Sequence, residues 1–358
     1  MIWRMISHNE TLIGDAHGTA KLAQPYAQLT PDTVLNALES CGLRGDGRLI
    51  ALNSYENRVY QVWLEEPEAY GVSIVAKFYR PERWTTAAIL EEHAFVAELV
   101  QHEIPAVPPF TLHGRTLHQF EGFRFSVTPR LSGRSPELDN AEVLTWMGRF
   151  IGRIHAIGEL RPFVERPTLD IRTFGVEPRD FLLANDFVPA DLLPAWSSVS
   201  AMALEGVRAI FDRIGAFTNI RLHGDCHASN VLWVAQGAPG AGGGPHFVDF
   251  DDCRMGPAVQ DLWMMLSGDR EAMGQQMRSI IAGYEDFCEF DDNELGLIEA
   301  LRTLRLLHYS GWIARRWHDP AFPSAFPWFN TQRYWQDRVL ELREQISAMQ
   351  EPALSLAG

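Results

Sequence analysis

Arg221-Leu222-His223-Gly224-Asp225-Cys226-His227-Ala228-Ser229-Asn230, with His246-Phe247-Val248-Asp249-Phe250-Asp251-Asp252 a little further on, decides how the chain folds. An aspartate, an asparagine five positions later and a second aspartate closing an apolar run are the residue types that kinase-type phosphoryl transfer requires, in the required order. One carboxylate accepts the proton of the attacking hydroxyl. The amide oxygen and the other carboxylate hold magnesium against the phosphates of ATP. Asp225 is then the base, Asn230 and Asp249 are the magnesium ligands, and Asp225 and Asp249 are the two catalytic carboxylates.

A lone Asp-x4-Asn arises easily by chance, so the assignment needs phosphate-holding partners upstream. Val75-Ala76-Lys77-Phe78-Tyr79 supplies one, because it matches the strand that carries the phosphate-binding lysine of kinases and places a charge in an apolar run. Leu90-Glu91-Glu92-His93-Ala94-Phe95 follows with helical spacing, and a glutamate there can pair with Lys77 and aim its amine at the phosphates. Either Glu91 or Glu92 can serve. Taken singly, Lys77 reads better as a strand-edge lysine reaching solvent and the glutamates as a solvated helix face. Together, and in this order, they read as a site. The Gly-rich run from Gly237 to Pro245 has neither the Lys-Ser/Thr that closes a P-loop nor a helix directly after it, so it reads as the tip of a hairpin.

Residues 1–25 are polar and without periodicity, and read as a loosely ordered N-terminal extension. Thr30-Pro31-Asp32 opens a helix that Gly42 to Gly47 breaks. Leu49 to Leu52, Arg58 to Leu64, Val72 to Tyr79 and Phe123 to Thr128 are rich in β-formers and read as antiparallel strands. A helix from Thr86 to His102 lies between them and ends before Pro105. From about Ser132 the pattern turns helical: Leu144, Met147, Ile151 and Ile154 recur at helical steps. Further helices are expected at Ala201 to Ile214, Ala258 to Leu266, Glu271 to Phe287, Glu294 to Arg316 and about Gln332 to Met349. Only Asn230 to Val234 and His246 to Phe250 interrupt them as strands. The expectation is an α+β chain with an ATP-clasping, antiparallel-sheet lobe over residues 26–131 and a larger, mainly helical, catalytic and substrate-binding lobe over 132–350.

A chain of 358 residues, 46% apolar, can bury a substantial core. No apolar run approaches the length that spans a bilayer, and the start lacks a cleavable apolar leader, so no membrane partner and a cytoplasmic location are expected. The net charge of −15 argues against nucleic acid as a partner and suits a cationic or neutral one, although acidity serves solubility first. Cys41, Cys226, Cys253 and Cys288 are scattered without a CxxC pair and read as reduced thiols. A monomer is expected.

From about residue 28 to 350 the chain resembles the aminoglycoside phosphotransferase and choline kinase-like superfamily, whose pattern is His-Gly-Asp-x-His-x-x-Asn followed by hydrophobic-Asp-x-Asp. Within it, Leu52-Asn53-Ser54-Tyr55-Glu56-Asn57-Arg58-Val59-Tyr60, Lys77-Phe78-Tyr79-Arg80-Pro81-Glu82-Arg83-Trp84 and Gly256-Pro257-Ala258-Val259-Gln260-Asp261-Leu262-Trp263 resemble a bacterial stress-response branch of Ser/Thr protein kinases. The resemblance implies a bilobal protein-kinase-like fold, Lys77 on the ATP phosphates, Glu92 rather than Glu91 as its partner, and His223, Asp251 and Asp261 as supports. It implies a protein substrate with Ser or Thr, and a role in protection against stress. Ser54-Tyr55-Glu56-Asn57-Arg58 departs from the glycine-rich loop of ordinary protein kinases, so phosphate contact there falls to backbone amides and to Ser54, Asn57 or Arg58. Only seven residues separate Asp249 from Pro257, too few for a long activation loop, and constitutive competence is expected. Thr128-Pro129-Arg130-Leu131 stands where adenine would be met.

Tyr309, Trp312, Arg315, Arg316 and Trp317 are candidates to hold the acceptor, against a core-packing role for the tryptophans. A small-molecule kinase acting on an amino alcohol, sugar or aminoglycoside is the alternative to a protein kinase. A metal-dependent hydrolase built on His223, Asp225, His227, Asp249 and Asp251 would leave Lys77 and its glutamate unexplained. Cys226, beside the base, is either oxidation-sensitive or simply a small packed residue.

Overall fold

Thr30 and Gly42 bracket the first helix, α1 (Pro31–Ser40), as the sequence predicts. The Thr30 hydroxyl accepts the Thr33 N–H at 3.2 Å, Pro31 occupies the first turn where its missing N–H costs nothing, and Gly42 at φ +88° ends the helix. Gly42 N–H donates to the Glu39 carbonyl and Leu43 N–H to that of Leu38, which satisfies two otherwise orphaned carbonyls. The computed structural model describes residues 12–14, 20–22, 24–67, 70–234 and 243–356. Of the N-terminal extension it describes the antiparallel pair β1 (Leu12–Gly14) and β2 (Ala20–Leu22) and the turn from Gln24. The remainder of that extension, and most of the Gly237–Pro245 tip, lie outside the described residues.

The chain divides into two units, one comprising residues 28–168, 218–291 and 354–358 and the other 1–27, 169–217 and 292–353. The first holds a five-stranded antiparallel sheet in the order β3 (Gly45–Ala51), β4 (Arg58–Leu64), β5 (Ser73–Phe78), β7 (Phe123–Pro129), β6 (His118–Phe120). Side chains alternate across β5: Ile74, Ala76 and Phe78 are buried, while Val75 and Lys77 share the other face. Register sets Lys77 between Val59 on β4 and Ser126 on β7. Helix α2 (Thr86–Gln101) is inserted after β5, capped by Thr85, and buries Ala88, Ile89, Glu92, His93, Phe95, Val96 and Leu99 along one face.

Helices α3 (Ala141–Gly158) and α7 (Arg270–Tyr284) cross at backbone contact. A Cβ on Gly148 would lie 1.9 Å from the Ile280 carbonyl oxygen, and one on Gly283 would lie 2.0 Å from that of Thr145. Only glycine permits that approach. Two short antiparallel pairs belong to the same unit: β8 (Ile220–Leu222) with β11 (Arg254–Gly256), and β9 (Val231–Val234) with β10 (Gly244–Phe247). The short α6 (Val259–Trp263) follows β11.

The other unit contains α4 (Glu177–Ala184), α5 (Leu193–Ile214), α8 (Ile298–Arg315), α9 (Ala321–Ala325) and α10 (Gln332–Ala348) around an aromatic core. Trp196 meets Trp335 edge-on at 5.7 Å, and Phe329 and Tyr334 pack beside them. Trp312 rests on Phe322 and Phe326, and Trp317 on Phe329. Both tryptophans, read from sequence as either acceptor-binding or core, therefore contribute to this aromatic packing.

The architecture is α+β, as expected, with differences at short elements. Strands β6, β8 and β11, three residues each, were not expected, because three residues cannot display a two-residue period. The expected strand His246 to Phe250 stops at Phe247, since Asp249 adopts a left-handed conformation (φ 60°) and Phe250–Asp252 form a 3-10 turn. The expected helix Ala258 to Leu266 shortens to α6, and α5 begins at Leu193 rather than Ala201, with Pro194 in its first turn. The seven residues between Asp249 and Pro257 are used up by that 3-10 turn and by β11.

Candidate active site

Lys77 reaches across its sheet face into a ring of carboxylates. Its Nζ lies 3.1 Å from Asp251 Oδ1, 3.2 Å from Asp249 Oδ1 and 3.6 Å from Glu92 Oε1. Burial works against the charge, but Asp251, then Glu92 and Asp249, hold the ammonium well above its ordinary pKa, so it stays a cation. Asp251 is itself braced, by Arg83 and by Asn57 Nδ2 at 3.1 Å. Burial would raise its carboxyl, but Arg83 and Lys77 outweigh that and bring it to about 2. Glu92 is the one of the two adjacent glutamates that faces Lys77. Its neighbour Glu91 points to a different loop, where its carboxylate accepts the backbone N–H groups of Val164, Glu165 and Arg166 at 2.6–2.9 Å.

The loop after β8 is held from beneath by Asp261. This carboxylate, fully buried at the start of α6, accepts the His223 N–H at 2.8 Å and the Gly224 N–H at 2.9 Å. His155 Nε2 lies 3.2 Å from it, and the same ring meets the Tyr284 hydroxyl at 3.0 Å through Nδ1. The close α3–α7 crossing thus delivers the pair that steadies Asp261. Gly224 sits at φ +83°, and a Cβ there would lie 2.2 Å from the Asp252 carbonyl oxygen, so the turn into Asp225 admits only glycine. His223 donates from Nε2 to the Val248 carbonyl at 2.9 Å, while Nδ1 accepts the Asp225 N–H, which ties the loop to the backbone just before Asp249.

Asp225 Oδ2 accepts Asn230 Nδ2 at 3.4 Å and lies 3.3 Å from His227 Nε2. Asn230 Nδ2 also donates to the Asp225 carbonyl at 2.9 Å, which commits its amide nitrogen and leaves the amide oxygen for a cation. Asp249, 53% exposed, is the open member of the carboxylate ring. Asn230 and Asp249 offer hard oxygen donors, and two protein ligands suit magnesium, which keeps its other positions for water and phosphate. Among the described residues no group of three or more His, Cys, Asp or Glu side chains is arranged to hold a metal unaided. With both His223 nitrogens engaged, the geometry gives the hydrolase ligand set no support.

Above these groups opens a cleft of about 390 Å³. Val59, Val75, Val107, Leu232 and Val248 supply apolar walls, Thr128 to Leu131 a rim, and Lys77, Asn230 and Asp249 a polar end. Ser54 lines it, although its hydroxyl turns to the Asn57 carbonyl at 3.3 Å. Asn57 lines it too, but its amide is engaged at both ends, by Asp251 and by the Arg80 N–H. Arg58 is not among the lining residues; its guanidinium folds back on the carbonyls of Tyr55 and Asn57. Arg83 and Arg166 carry no assignment from sequence, yet both enter the charge network. Arg83 stands in the quoted Lys77–Trp84 segment, where its charge was the available signal; Arg166 offers none. Cys226 is fully buried and burial pushes its thiol well up, so it behaves as a packed residue.

This lysine–carboxylate ring beside an aspartate loop, on an antiparallel sheet with a helical remainder, defines a class. Residues 48–308 match the phosphotransferase enzyme family. The chain belongs to that family and is a kinase, a phosphotransferase with an alcohol group as acceptor. It is 44% identical over 331 residues to stress response kinase A of Escherichia coli K12, covering 92% of this chain and 97% of that one. It is 41% identical, with the same coverage, to the serine/threonine protein kinase RdoA of Salmonella typhimurium LT2. In fold it is similar to the amicoumacin kinase hAmiN in complex with AMP-PNP, Ca2+ and Ami, with TM-score 0.68 at 19% identity over 89% of this chain and 94% of that one. Among the described residues no helix is long and apolar enough to cross a membrane.

Proposed function

We propose that the chain is an ATP- and magnesium-dependent Ser/Thr protein kinase that acts, like the relative at 44% identity, in the response to stress. The observation that carries this reading is Lys77, held charged by Glu92 and Asp251 at the polar end of a nucleotide-sized cleft, with Asn230 and Asp249 beside it. Lys77 meets phosphate oxygens. Asp225, held by Asn230 and His227, orients the acceptor hydroxyl and takes its proton. Asn230 and Asp249 hold magnesium, which when bound neutralises charge on the phosphates.

Catalysis then rests on positioning, which the backbone clamps on the Asp225 loop supply before substrate arrives. A small-molecule kinase shares this whole site and is favoured by the net charge of −15, which suits a cationic acceptor. Transfer of labelled γ-phosphate from ATP with magnesium, run on a generic protein, on the chain alone, and on choline, homoserine and aminoglycosides, decides between them. Label on protein that vanishes in Asp225→Ala supports the first reading. Label confined to a small alcohol overturns it in favour of the second, and full transfer by Asp225→Ala refutes the assignment of the base.

A further inference from the structure

Arg166 lies in the segment between α3 and the other unit, far in sequence from every residue assigned above, with its side chain fully buried. Its guanidinium is divided among three groups. Nε donates to the Ala88 carbonyl on α2 at 2.8 Å, one terminal nitrogen to the Asp251 carbonyl at 2.6 Å, and the other to Glu92 Oε2 at 2.7 Å. The Trp84 ring covers one face at 4.3 Å. The segment that carries it is pinned on both sides, by Glu91 through the amides of residues 164–166 and by the Met255 N–H on the Pro167 carbonyl at 2.9 Å. The three hydrogen bonds of this buried guanidinium thus go to the lysine's partner Glu92, to α2 and to the Asp249–Asp251 segment.

We propose that Arg166 is a positioning residue for nucleotide binding: it fixes Glu92 against Lys77 and ties α2 to the Asp249–Asp251 segment. This rests on the proposed ATP site. Glu92 spends one oxygen on each cation, so Arg166 decides which way the carboxylate faces the lysine. The planar guanidinium serves three divergent acceptors at fixed angles, which a lysine's single ammonium cannot do. In kinases whose helix swings in and out, regulation sets the lysine–glutamate pair. Here a permanent latch sets it, which accords with the short segment between Asp249 and Pro257.

The test is the affinity of the full chain for a non-hydrolysable ATP analogue with magnesium, measured by calorimetry on wild type, Arg166→Lys, Glu92→Gln and the double variant, with thermal stability followed in parallel. Arg166→Lys should weaken binding about 10- to 100-fold, the range found when groups that orient a ligand-holding residue are removed. In the Glu92→Gln background the same change should cost less than about threefold, because the effect runs through Glu92. Stability should fall for Arg166→Lys in both backgrounds, since the bonds to Ala88 and Asp251 are lost either way. Affinity losses that add across the two sites overturn the proposal and leave Arg166 a structural residue. So does unchanged affinity in a folded Arg166→Lys. If wild type binds no nucleotide, the ATP reading itself fails, and this inference with it.

Discussion

Asp261→Asn isolates the support beneath the Asp225 loop while changing almost no volume. The carboxylate accepts two backbone N–H groups, from His223 at 2.8 Å and Gly224 at 2.9 Å, one on each oxygen, in a fully buried setting. An asparagine offers one acceptor and one donor. Whichever way it faces, one amide keeps its partner and the other meets an NH2 group. Hydrogen bonds to charged groups contribute about 1.5–3 kcal/mol, and an orphaned buried donor costs a similar amount, so the loop should lose about 3 kcal/mol. At 1.36 kcal/mol per decade, that is roughly a hundredfold faster opening of the affected turn. Hydrogen exchange followed by mass spectrometry on the peptide spanning Leu222 to Cys226 reads this directly, and kinase turnover should fall in step. Wild-type protection of both amides in the variant would refute the claim that Asp261 fixes this loop.

His93 is buried between the Tyr79 hydroxyl at 2.8 Å and Thr116 Oγ1 at 2.9 Å, and burial, helped by Lys77, lowers its pKa to about 3. The folded protein therefore keeps it neutral where the unfolded chain takes up a proton near pH 6.5. Stability from this group is full above that pH and lost as pH falls toward 3, about 2 kcal/mol by pH 5, so His93→Gln should flatten the decline in Tm between pH 7 and 5. An unchanged pH profile would count against the buried neutral imidazole. Gly148→Ala places a methyl 1.9 Å from the Ile280 carbonyl, backbone that cannot turn aside. It should cost about 3 kcal/mol and lower Tm, whereas wild-type stability would mean that the α3–α7 approach is looser than described. All four thiols are buried, and burial raises their pKa, so a maleimide should label none in the native protein and all after denaturation.

What could be read from sequence tracks how local the physics is. Lys77 was legible because a charge interrupts an alternating apolar strand, and the Asp225-to-Asn230 loop because residue type and spacing are its chemistry. Glu91 and Glu92 were inseparable by spacing, because adjacent helical positions differ by roughly 100° and only the partner shows which faces the sheet. Arg166 pairs with Glu92 across 74 positions, and no local pattern encodes that. Asn57 read as a phosphate-loop side chain because it is polar and in a loop. Its burial between Asp251 and the Arg80 amide instead makes it a brace, since a buried amide must satisfy both of its ends.

The charge balance around Lys77 bears on how such a site takes up an anionic ligand. Three carboxylates share one lysine, but they are not equivalent. The Glu92 side chain is 7% exposed and held by Arg166, and that of Asp251 is 4% exposed and held by Arg83 and Asn57. Moving either would strand a buried charge, which costs several kcal/mol. Asp249 is 53% exposed and sits on a left-handed backbone at the mouth of the 3-10 turn. On the proposed reading, Asp249 would be the carboxylate available to hold magnesium, while Glu92 and Asp251 keep Lys77 charged and aimed. Removing Asp249 should loosen the metal site far more than it disturbs the fold, whereas Asp251→Asn, which leaves Arg83 and Lys77 without their shared anion, should do the reverse and lower Tm first.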